Sequence, residues 1–160
     1  MVNTGIRVRS ANYLKWKHIS QRTSVMDDGT TLDYLAITIE EYKTKRINKG
    51  LRFRTVYAPH HLTRILNEVR RQNAPHNTDD DYVFTHHKKR EPLLNMSRYG
   101  FKRVLKELGL YEHTSGAKRT AKQLRSYYAS KLLQKHPIHV VAATMGNSIE
   151  VAYQMYAQLE

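Results

Sequence analysis

The end of the chain carries a basic pair and a tyrosine whose residue types suit chemistry at a phosphate group. Lys122 and Arg125 are three residues apart, so on a helix both side chains would lie on one face. The planar guanidinium of arginine can hold a phosphate through two parallel hydrogen bonds and keeps its charge. Tyr156, nine positions after Asn147, offers a phenol that could act as a nucleophile. This stretch therefore predicts a phosphate clamp served by a tyrosine.

Two further cations lie far from this stretch in the sequence. Arg7 follows a Thr-Gly pair, and Lys43 precedes Thr44 in a region rich in strand-forming residues. Cleavage of a phosphodiester without a metal needs a nucleophile, positive charge near the non-bridging oxygens and a proton for the leaving oxygen. Lys45 is an alternative to Lys43, because residues two apart on an extended segment point the same way. Taken singly, each of these cations is more often a solvated surface residue.

The composition indicates a polyanionic partner. The 160 residues include 27 Lys+Arg against 14 Asp+Glu, which gives a formal net charge of +13. Such an excess favours nucleic acid as the partner, with binding that weakens steeply as salt rises. The cations are also clustered, since no acid interrupts the basic run from Lys43 to Arg54. The acidic run Asp79–Asp81 is interpreted as a solvated loop.

Several other functional classes are disfavoured. The chain has no cysteine, which excludes disulfides, thiolate metal sites and a cysteine nucleophile. Its histidine pairs, His60-His61 and His86-His87, are adjacent in sequence, so their side chains diverge and no metal site is expected. No apolar run is long enough for a membrane span, and no signal peptide is apparent at the start. No glycine-rich loop predicts nucleotide chemistry, so no cofactor is expected.

The first half of the chain predicts a short helix followed by a three-stranded sheet. The helix is expected over residues 6–16. Strands are expected over 19–26, 32–39 and 52–57, because β-branched and aromatic residues concentrate there between two turn signals, Asp-Asp-Gly and Asn-Lys-Gly. In the middle strand, Leu35, Ile37 and Ile39 form the more apolar face and are expected to face the core.

The second half is predicted to be mostly helical. Apolar residues recur at helical spacing over 59–72 and 96–108, with a short extended piece at 82–84 between them. Thr120 and Gln123 form a capping-box pattern that begins a helix reaching about residue 135. Helices from Pro137 to Gly146 and over 150–157 follow. The order of elements indicates an α+β domain that is mostly helical, with a small three-stranded antiparallel sheet.

Five motifs in this order resemble the catalytic domain of the tyrosine recombinases, the phage integrase family. The resemblance covers nearly the whole chain. The motifs are Thr4-Gly5-Ile6-Arg7, Leu14-Lys15-Trp16-Lys17-His18-Ile19, Lys43-Thr44, Lys122-Gln123-Leu124-Arg125, and Met145-Gly146-Asn147 followed by Tyr156.

The chain departs from the usual family pattern at four positions. Lys122 stands where the family usually has histidine, and Asn147 where it has histidine or tryptophan. Ser10 and His18 stand where relatives often have carboxylates that support the first arginine. The Lys-x-x-Arg arrangement is similar to that of integrases of the archaeal fusellovirus type.

The resemblance implies a site-specific DNA recombinase that needs neither metal nor ATP. Tyr156 is expected to attack the scissile phosphate, which gives a 3′-phosphotyrosine and a free 5′-hydroxyl. The phosphate would be held by Arg7, Arg125, Lys122 and Asn147, and Lys43 would protonate the leaving oxygen. Tyr153, one helical turn before Tyr156, is a rival nucleophile whose spacing fits the family less well.

The resemblance also implies partners and a domain organisation. Residues 1–160 are expected to be the catalytic domain alone, without the N-terminal core-binding domain. The partner is double-stranded DNA at attachment sites, with a homotetramer on DNA for a full-length protein and a monomer for this domain. The expected location is the cytoplasm, or the nucleoid of a host cell for a viral protein. DNA-contacting cations are expected at Lys45, Arg46, Lys49, Arg52, Arg54, Lys88, Lys89, Arg90, Lys118 and Arg119.

Two alternatives share the fold. With Lys122 and Asn147 in place of histidines, the chain could be a DNA-binding module without catalysis. It could also nick and rejoin DNA in the manner of a type IB topoisomerase, without exchange of partners.

The replacement of both histidines generates a prediction about pH. Neither Asn147 nor a charged lysine changes protonation near neutrality, so the cleavage rate should vary little between about pH 6 and 8. Measurement of single-turnover cleavage across this range checks it. A steep one-proton step near about pH 6.5, the ordinary histidine value, is the contrary outcome.

Overall fold

The structure is a computed structural model that describes residues 2–40, 53–86, 89–94 and 99–156. Its contacts divide the chain into two units, one formed by residues 9–93 and the other by residues 1–8 and 94–160. In the order of the chain the elements are α1 (Val8–Asn12), a 3₁₀ turn (Trp16–His18), β1 (Ile19–Val25), β2 (Thr31–Glu40), β3 (Phe53–Pro59), α2 (Leu62–Gln72), β4 (Thr85–His86), β5 (Lys89–Pro92), α3 (Phe101–Glu107), α4 (Lys122–Leu133), α5 (Ile138–Met145) and α6 (Ile149–Tyr156).

The predicted three-stranded antiparallel sheet is confirmed, with strand order β1-β2-β3. Leu35, Ile37 and Ile39 alternate along β2 and are buried, as expected for the apolar face of a strand with one solvated side. On β3 the buried partners are Val56, which pairs with Ile37, and Ala58, which pairs with Leu35. These cross-strand contacts supply much of the core of this unit.

The turn between β1 and β2 forms at the predicted Asp-Asp-Gly sequence. Gly29 has a φ of 80°, a left-handed conformation that favours glycine. Asp28 Oδ1 accepts hydrogen bonds from the backbone N–H of Thr30 at 2.9 Å and from its hydroxyl at 2.6 Å. This Asx-type arrangement fixes the turn and therefore the register of the first two strands.

The first helix is shorter than the sequence predicts. It was expected to reach Trp16 but ends at Asn12, because the main chain that follows is paired with a distant segment. Trp16 N–H donates to the carbonyl of Asp81 at 3.1 Å, and Val83 N–H donates to the carbonyl of Leu14 at 2.8 Å. Main-chain groups used in this pairing cannot also continue a helix, so tertiary contacts override the local pattern.

The acidic run 79–81 is not simply a solvated loop, which corrects the sequence interpretation. Asp81 is buried and accepts hydrogen bonds from Arg90 Nε at 2.9 Å and Nη2 at 3.2 Å, and from the Thr78 hydroxyl at 2.6 Å. Asp79 and Asp80 pair with Arg70 and Lys17 at 2.9 and 2.6 Å. The β4–β5 hairpin that carries Arg90 was not predicted from the sequence.

The predicted helices of the other unit are present: α4 and α5 are shorter than expected, and α6 begins and ends one residue earlier than expected. The helix expected from Thr120 begins at Lys122, and Gln123 Oε1 accepts a hydrogen bond from Thr120 N–H at 2.6 Å, which is one half of the predicted capping box. The other half is absent, because Gln123 N–H bonds to the Thr120 backbone carbonyl and not to the Thr120 hydroxyl. The core of this unit joins α4, α5 and α6. Its buried members are Ala129, Val141, Ala142, Met145, Ala152 and Tyr156.

Small residues allow these three helices to approach closely. Ala129 on α4, Ala142 on α5 and Ala152 on α6 are essentially inaccessible, and Leu132, Leu133 and Ile138 pack around them. The mostly helical α+β fold expected from the sequence is therefore the observed one. No helix in the described part of the chain is long and apolar enough to span a bilayer.

The environment of Asp81 predicts an acid-sensitive contribution to stability. The Arg90 hydrogen bonds, followed by those from Thr78, hold the pKa of Asp81 well below its usual range. Because the pKa of Asp81 is lower in the folded protein than in the unfolded chain, ionised Asp81 stabilises the fold at pH values above its unfolded-state pKa of about 4. This stabilisation is lost as the pH falls below that value. Asp81→Asn should lower the free energy of unfolding at pH 7 by about 1 to 2 kcal/mol. The effect is no larger because solvent around the exposed Arg90 side chain screens its charge.

Urea unfolding at pH 7 and at pH 3 checks this prediction. The difference between the wild type and Asp81→Asn should shrink at the lower pH, because Asp81 begins to be protonated in the unfolded state. Asp80→Asn is the matched control, since the Asp80 side chain is exposed and its ion pair with Lys17 contributes little. Equal effects of the two substitutions at pH 7 would contradict the assignment.

Candidate active site

The corner between α5 and α6 is built by three consecutive residues. Gly146 has a φ of 64° and ends α5, with its N–H bonded to the carbonyl of Ala143 at 3.1 Å and the N–H of Asn147 bonded to that of Ala142 at 3.0 Å. This is the Schellman arrangement that glycine favours. Ser148 then begins α6 by accepting a hydrogen bond from the N–H of Val151 at 3.3 Å. Asn147 is therefore held at a fixed corner between two helices.

The carbonyls of Met145, the last residue of α5, and of Gly146, which follows it, hold two arginines from distant parts of the sequence. Arg125 Nη2 donates to the carbonyl of Met145 at 2.6 Å, and Arg7 Nη2 donates to that of Gly146 at 3.2 Å. The Met145 carbonyl lies at the helix end that carries negative partial charge, which favours a cation. Arg125 Nη1 also donates to the carbonyl of Gly5, two residues before Arg7 in the chain. The buried Arg125 thus ties the start of the chain to α4 and α5.

Asn147 connects these arginines to the tyrosine. Its Oδ1 accepts hydrogen bonds from Arg7 Nη2 at 2.8 Å and from Arg125 Nη2 at 3.3 Å. Its Nδ2 donates to the hydroxyl of Tyr156 at 3.4 Å. Arginine only donates, so the amide oxygen must face the guanidinium groups and the amide nitrogen must face the phenol. The Asn147 side chain therefore connects the two arginines among the predicted phosphate ligands with the predicted nucleophile.

Tyr156 lies at the end of α6 with only 2% of its surface exposed. Its ring belongs to the core of α4, α5 and α6, one helical turn after the fully buried Ala152. Tyr153 is 64% exposed, so the two tyrosines of α6 differ sharply in surroundings. Only Tyr156 has its hydroxyl hydrogen-bonded to Asn147 in the described structure.

Lys122 is placed differently from Arg125. It is the first residue of α4 and its side chain is exposed, whereas Arg125, one turn later, is buried. Within the described residues, the hydrogen bonds among Arg7, Arg125, Asn147 and Tyr156 do not include Lys122. At the start of α4, Lys122 is therefore exposed to solvent and Arg125 is buried.

The positions where carboxylates often support the first arginine have other uses here. The Ser10 hydroxyl donates to the carbonyl of Glu40 at 3.0 Å, and His18 Nδ1 accepts from the backbone N–H of Lys15 at 3.3 Å. Burial, followed by the charges of Lys17 and Lys15, lowers the pKa of His18 below its usual value. The acceptors observed for Arg7 are instead the Gly146 carbonyl and Asn147.

Many of the sequence-predicted DNA contacts lie outside the described residues. These are Lys43, the predicted general acid, with its alternative Lys45, and also Arg46, Lys49, Arg52 and Lys88, while the backbone alone of Lys89 is described. Lys118 is exposed and pairs through its backbone with Glu112.

Three of the predicted DNA-contacting arginines have structural neighbours. Arg54 is half-buried on the same face of β3 as the core residues Val56 and Ala58. Arg90 is committed to Asp81 through two donors. Arg119 Nη1 donates to the carbonyls of Leu110 and Glu112 at 2.8 and 2.9 Å, which closes the loop before α4. The contacts of Arg90 and Arg119 hold local structure, a role that sequence clustering does not reveal.

No group of three His, Cys, Asp or Glu side chains in the described ranges is arranged to hold a metal ion. The polar groups at the corner of α5 and α6 are instead two guanidinium groups, an amide and a phenol.

Comparison with known proteins agrees with this arrangement. The model of the phage integrase family matches residues 1–160. The chain belongs to the phage integrase family. No curated protein sequence has a significant match to it.

Solved structures of this family share the fold. The XerH site-specific recombinase bound to difH substrate in a pre-cleavage complex has a TM-score of 0.70 at 22% identity over 98% of this chain. XerA recombinase has a TM-score of 0.70 at 19% identity over 99%, and the Tn1549 transposon integrase in complex with circular intermediate DNA has 0.59 at 13% over 99%. The chain spans 40% of the XerH chain, 49% of XerA and 54% of the Tn1549 integrase chain.

The conformation and surroundings of Gly5 explain why the first motif of this phage integrase family member contains glycine. Its φ is 59°, and an added Cβ would lie 2.6 Å from both Met145 Sδ and Tyr128 Cδ1. Its carbonyl accepts from Arg125, so any displacement of Gly5 also displaces that guanidinium. The close packing of Gly5 against the Met145 and Tyr128 side chains is therefore part of the arginine site.

Gly5→Ala should lower the free energy of unfolding by about 2 to 4 kcal/mol, from left-handed backbone strain together with steric overlap. Gly109→Ala is the matched control, because Gly109 has a φ of 67° and no atom lies within 4 Å of its added Cβ. Gly109→Ala should lower the free energy of unfolding by only about 1 kcal/mol, because it introduces left-handed backbone strain without steric overlap. Denaturant unfolding compares them, and equal losses would refute the proposed close packing.

Proposed function

We propose that this chain is the catalytic domain of a site-specific DNA recombinase, which cleaves and rejoins DNA through a tyrosine. The observation that carries the proposal is the hydrogen-bonded set of Arg7, Arg125, Asn147 and Tyr156. Two permanent positive charges and a hydroxyl converge on one amide side chain. A phosphodiester bound beside the guanidinium groups would have the phenol oxygen close to its phosphorus.

The proposed reaction exchanges one phosphoester bond for another. The Tyr156 oxygen attacks phosphorus, its proton passes to water, and the bond from phosphorus to the 5′-oxygen breaks. The products are a 3′-phosphotyrosine and a 5′-hydroxyl, and attack by a 5′-hydroxyl reverses the step. Because the ester energy is kept in the protein–DNA bond, the reaction uses neither ATP nor an oxidant. Arg7 and Arg125 stabilise the charge that develops on the non-bridging oxygens.

Two lysines complete the proposed assignment. Lys122 acts as a cation at the edge of the site, since an ammonium group cannot accept the phenol proton. Lys43 donates the proton to the leaving 5′-oxygen, as the family resemblance implies, with Lys45 as its alternative. Asn147 contributes hydrogen bonds where the usual family residue is histidine or tryptophan.

The proposed partner is double-stranded DNA at an attachment site. A net charge of +13 supports this, because binding to a polyanion is favoured by release of its counterions. XerH and the Tn1549 integrase are described in complexes with DNA. We further propose that residues 1–160 form the catalytic domain of a longer protein, which acts in the cytoplasm and assembles as a tetramer on DNA while this domain alone is a monomer.

Covalent capture on a nicked suicide duplex that carries the attachment site tests the proposal. Cleavage near the nick releases a short 5′-hydroxyl fragment, so religation is prevented and a protein–DNA adduct accumulates. Tyr156→Phe should abolish the adduct, since its phenyl ring has no nucleophilic oxygen, and should lower the single-turnover rate by at least about 10³-fold. Denaturing electrophoresis of labelled DNA measures the adduct.

Tyr153→Phe is the matched control because it changes the same atom one turn away on an exposed side chain. It should retain adduct formation within about twofold, as expected for a surface substitution outside the site. An adduct that persists in Tyr156→Phe and disappears in Tyr153→Phe would reassign the nucleophile. Absence of adduct in the wild type, with DNA binding intact, would favour the non-catalytic DNA-binding alternative.

A further inference from the structure

A second cationic region adjoins the start of α4, beyond the arginine and tyrosine cluster. It is a cleft of about 620 Å³ whose lining includes Phe101 and Lys102 of α3, Tyr111, Arg119 and Lys122. Lys102 Nζ lies 5.4 Å from the centroid of the Tyr111 ring, and Lys106 Nζ lies 5.5 Å from it. Both ammonium groups are therefore held at one aromatic ring by cation–π attraction.

The two exposed i,i+4 pairs of α3 differ in charge. Arg103 pairs with Glu107 at 3.2 Å, so one pair is neutralised within the helix. Lys102 and Lys106, also four residues apart, are like charges whose proximity disfavours the helix. Among the described residues, no carboxylate lies within ion-pair distance of either lysine. The uncompensated charge is concentrated on the side of α3 that carries the Tyr111 contacts.

The cleft is also preorganised. Arg119 N–H donates to the Tyr111 carbonyl at 2.8 Å, while Arg119 Nη1 holds the carbonyls on either side, at Leu110 and Glu112. This bonding fixes the loop that presents the Tyr111 ring. The Tyr111 ring that contacts the two lysines is therefore already fixed before a polyanion binds, so less conformational entropy is lost on binding.

We propose that this cleft binds a backbone phosphate of the DNA strand next to the scissile phosphate, with Lys102 of its lining and Lys106 at the adjoining Tyr111 ring as the ligands. The inference rests on the proposed function and adds the route of the strand. Lys122 lines the cleft and lies on α4 one turn before Arg125, and one helical turn advances by about 5.4 Å. Lys122 thus links the arginine site to the cleft, and successive phosphates would follow that line.

The salt dependence of DNA binding tests this route. The probe is a fluorescein-labelled 30-base-pair duplex of arbitrary sequence, with anisotropy measured over a series of NaCl concentrations. The double variant Lys102→Gln/Lys106→Gln should make the slope of log K against log [NaCl] shallower by about 1, the effect of losing one phosphate contact.

The matched control is Lys131→Gln/Lys135→Gln. Lys131 also lies over a tyrosine ring, 5.8 Å from the Tyr127 centroid, but at the other end of α4. The control should leave the slope unchanged. An unchanged slope in Lys102→Gln/Lys106→Gln, or an equal change in both variants, overturns the route.

The outcome also separates the two proposals. Adduct formation by the wild type together with an unchanged slope would refute the route and leave the recombinase assignment standing. Failure of the wild type to bind duplex DNA at low salt would refute both. Far-ultraviolet circular dichroism of each variant confirms that the fold is retained.

Site-directed cross-linking gives a second measurement. Because the chain has no cysteine, Lys102→Cys and Lys131→Cys each introduce a unique thiol. A duplex with thiol-reactive tethers on its backbone phosphates should cross-link to the Lys102→Cys variant severalfold faster than to the Lys131→Cys variant. Equal rates at the two positions would contradict a localised phosphate site.

Discussion

The C-terminal end of α5 is the constraint on which the candidate site depends. A helix leaves its last carbonyls without partners, and here the carbonyl of Met145, the last residue of α5, accepts from Arg125, while the carbonyl of Gly146, just after the helix, accepts from Arg7. Gly146 makes this arrangement possible, because its left-handed conformation turns the chain sharply after the final carbonyl. The same corner positions Asn147 and begins α6, which carries Tyr156. Capping of one helix therefore fixes the positions of both arginines and the direction from which the phenol approaches.

This arrangement gives a physical account of asparagine at position 147. An amide has an acceptor end and a donor end, and arginines that can only donate determine which end faces them. The Nδ2 group is consequently left to donate to Tyr156, so the phenol oxygen is held by a hydrogen bond without any group that titrates near neutrality. A histidine at this position could offer only one ring nitrogen in each direction and would change its charge with pH. Asn147 therefore links the two arginines to Tyr156 through hydrogen bonds of an uncharged amide.

The sequence predicted features whose causes are local and missed those whose causes are distant. Alternation in β2 identified Leu35, Ile37 and Ile39 as core residues, and Gly146 was correctly placed at the end of α5. The length of α1 was wrong because main-chain pairing with residues 81–83 replaces helical hydrogen bonds. The family pattern selected Arg7, Arg125, Asn147 and Tyr156, but no pattern of side chains could identify the main-chain carbonyls that hold the arginines.

The cations of this chain divide into two groups with different physical roles. Arg125 is buried, bonded to main-chain carbonyls and fixed in position, so its charge is available at a single place. Lys102 and Lys122 are exposed in the lining of one cleft and Lys106 is exposed at the Tyr111 ring beside it, and no carboxylate of the described residues lies within ion-pair distance of them. Buried arginines suit a phosphate that must be held in one geometry, because their planar donors are rigid. Exposed lysines suit phosphates that need only be attracted, because an ammonium group on a flexible stem accepts many orientations. Fixed geometry at the reacting phosphate and attraction along the strand are thus separate requirements, met by buried arginine in the first case and by exposed lysines in the second.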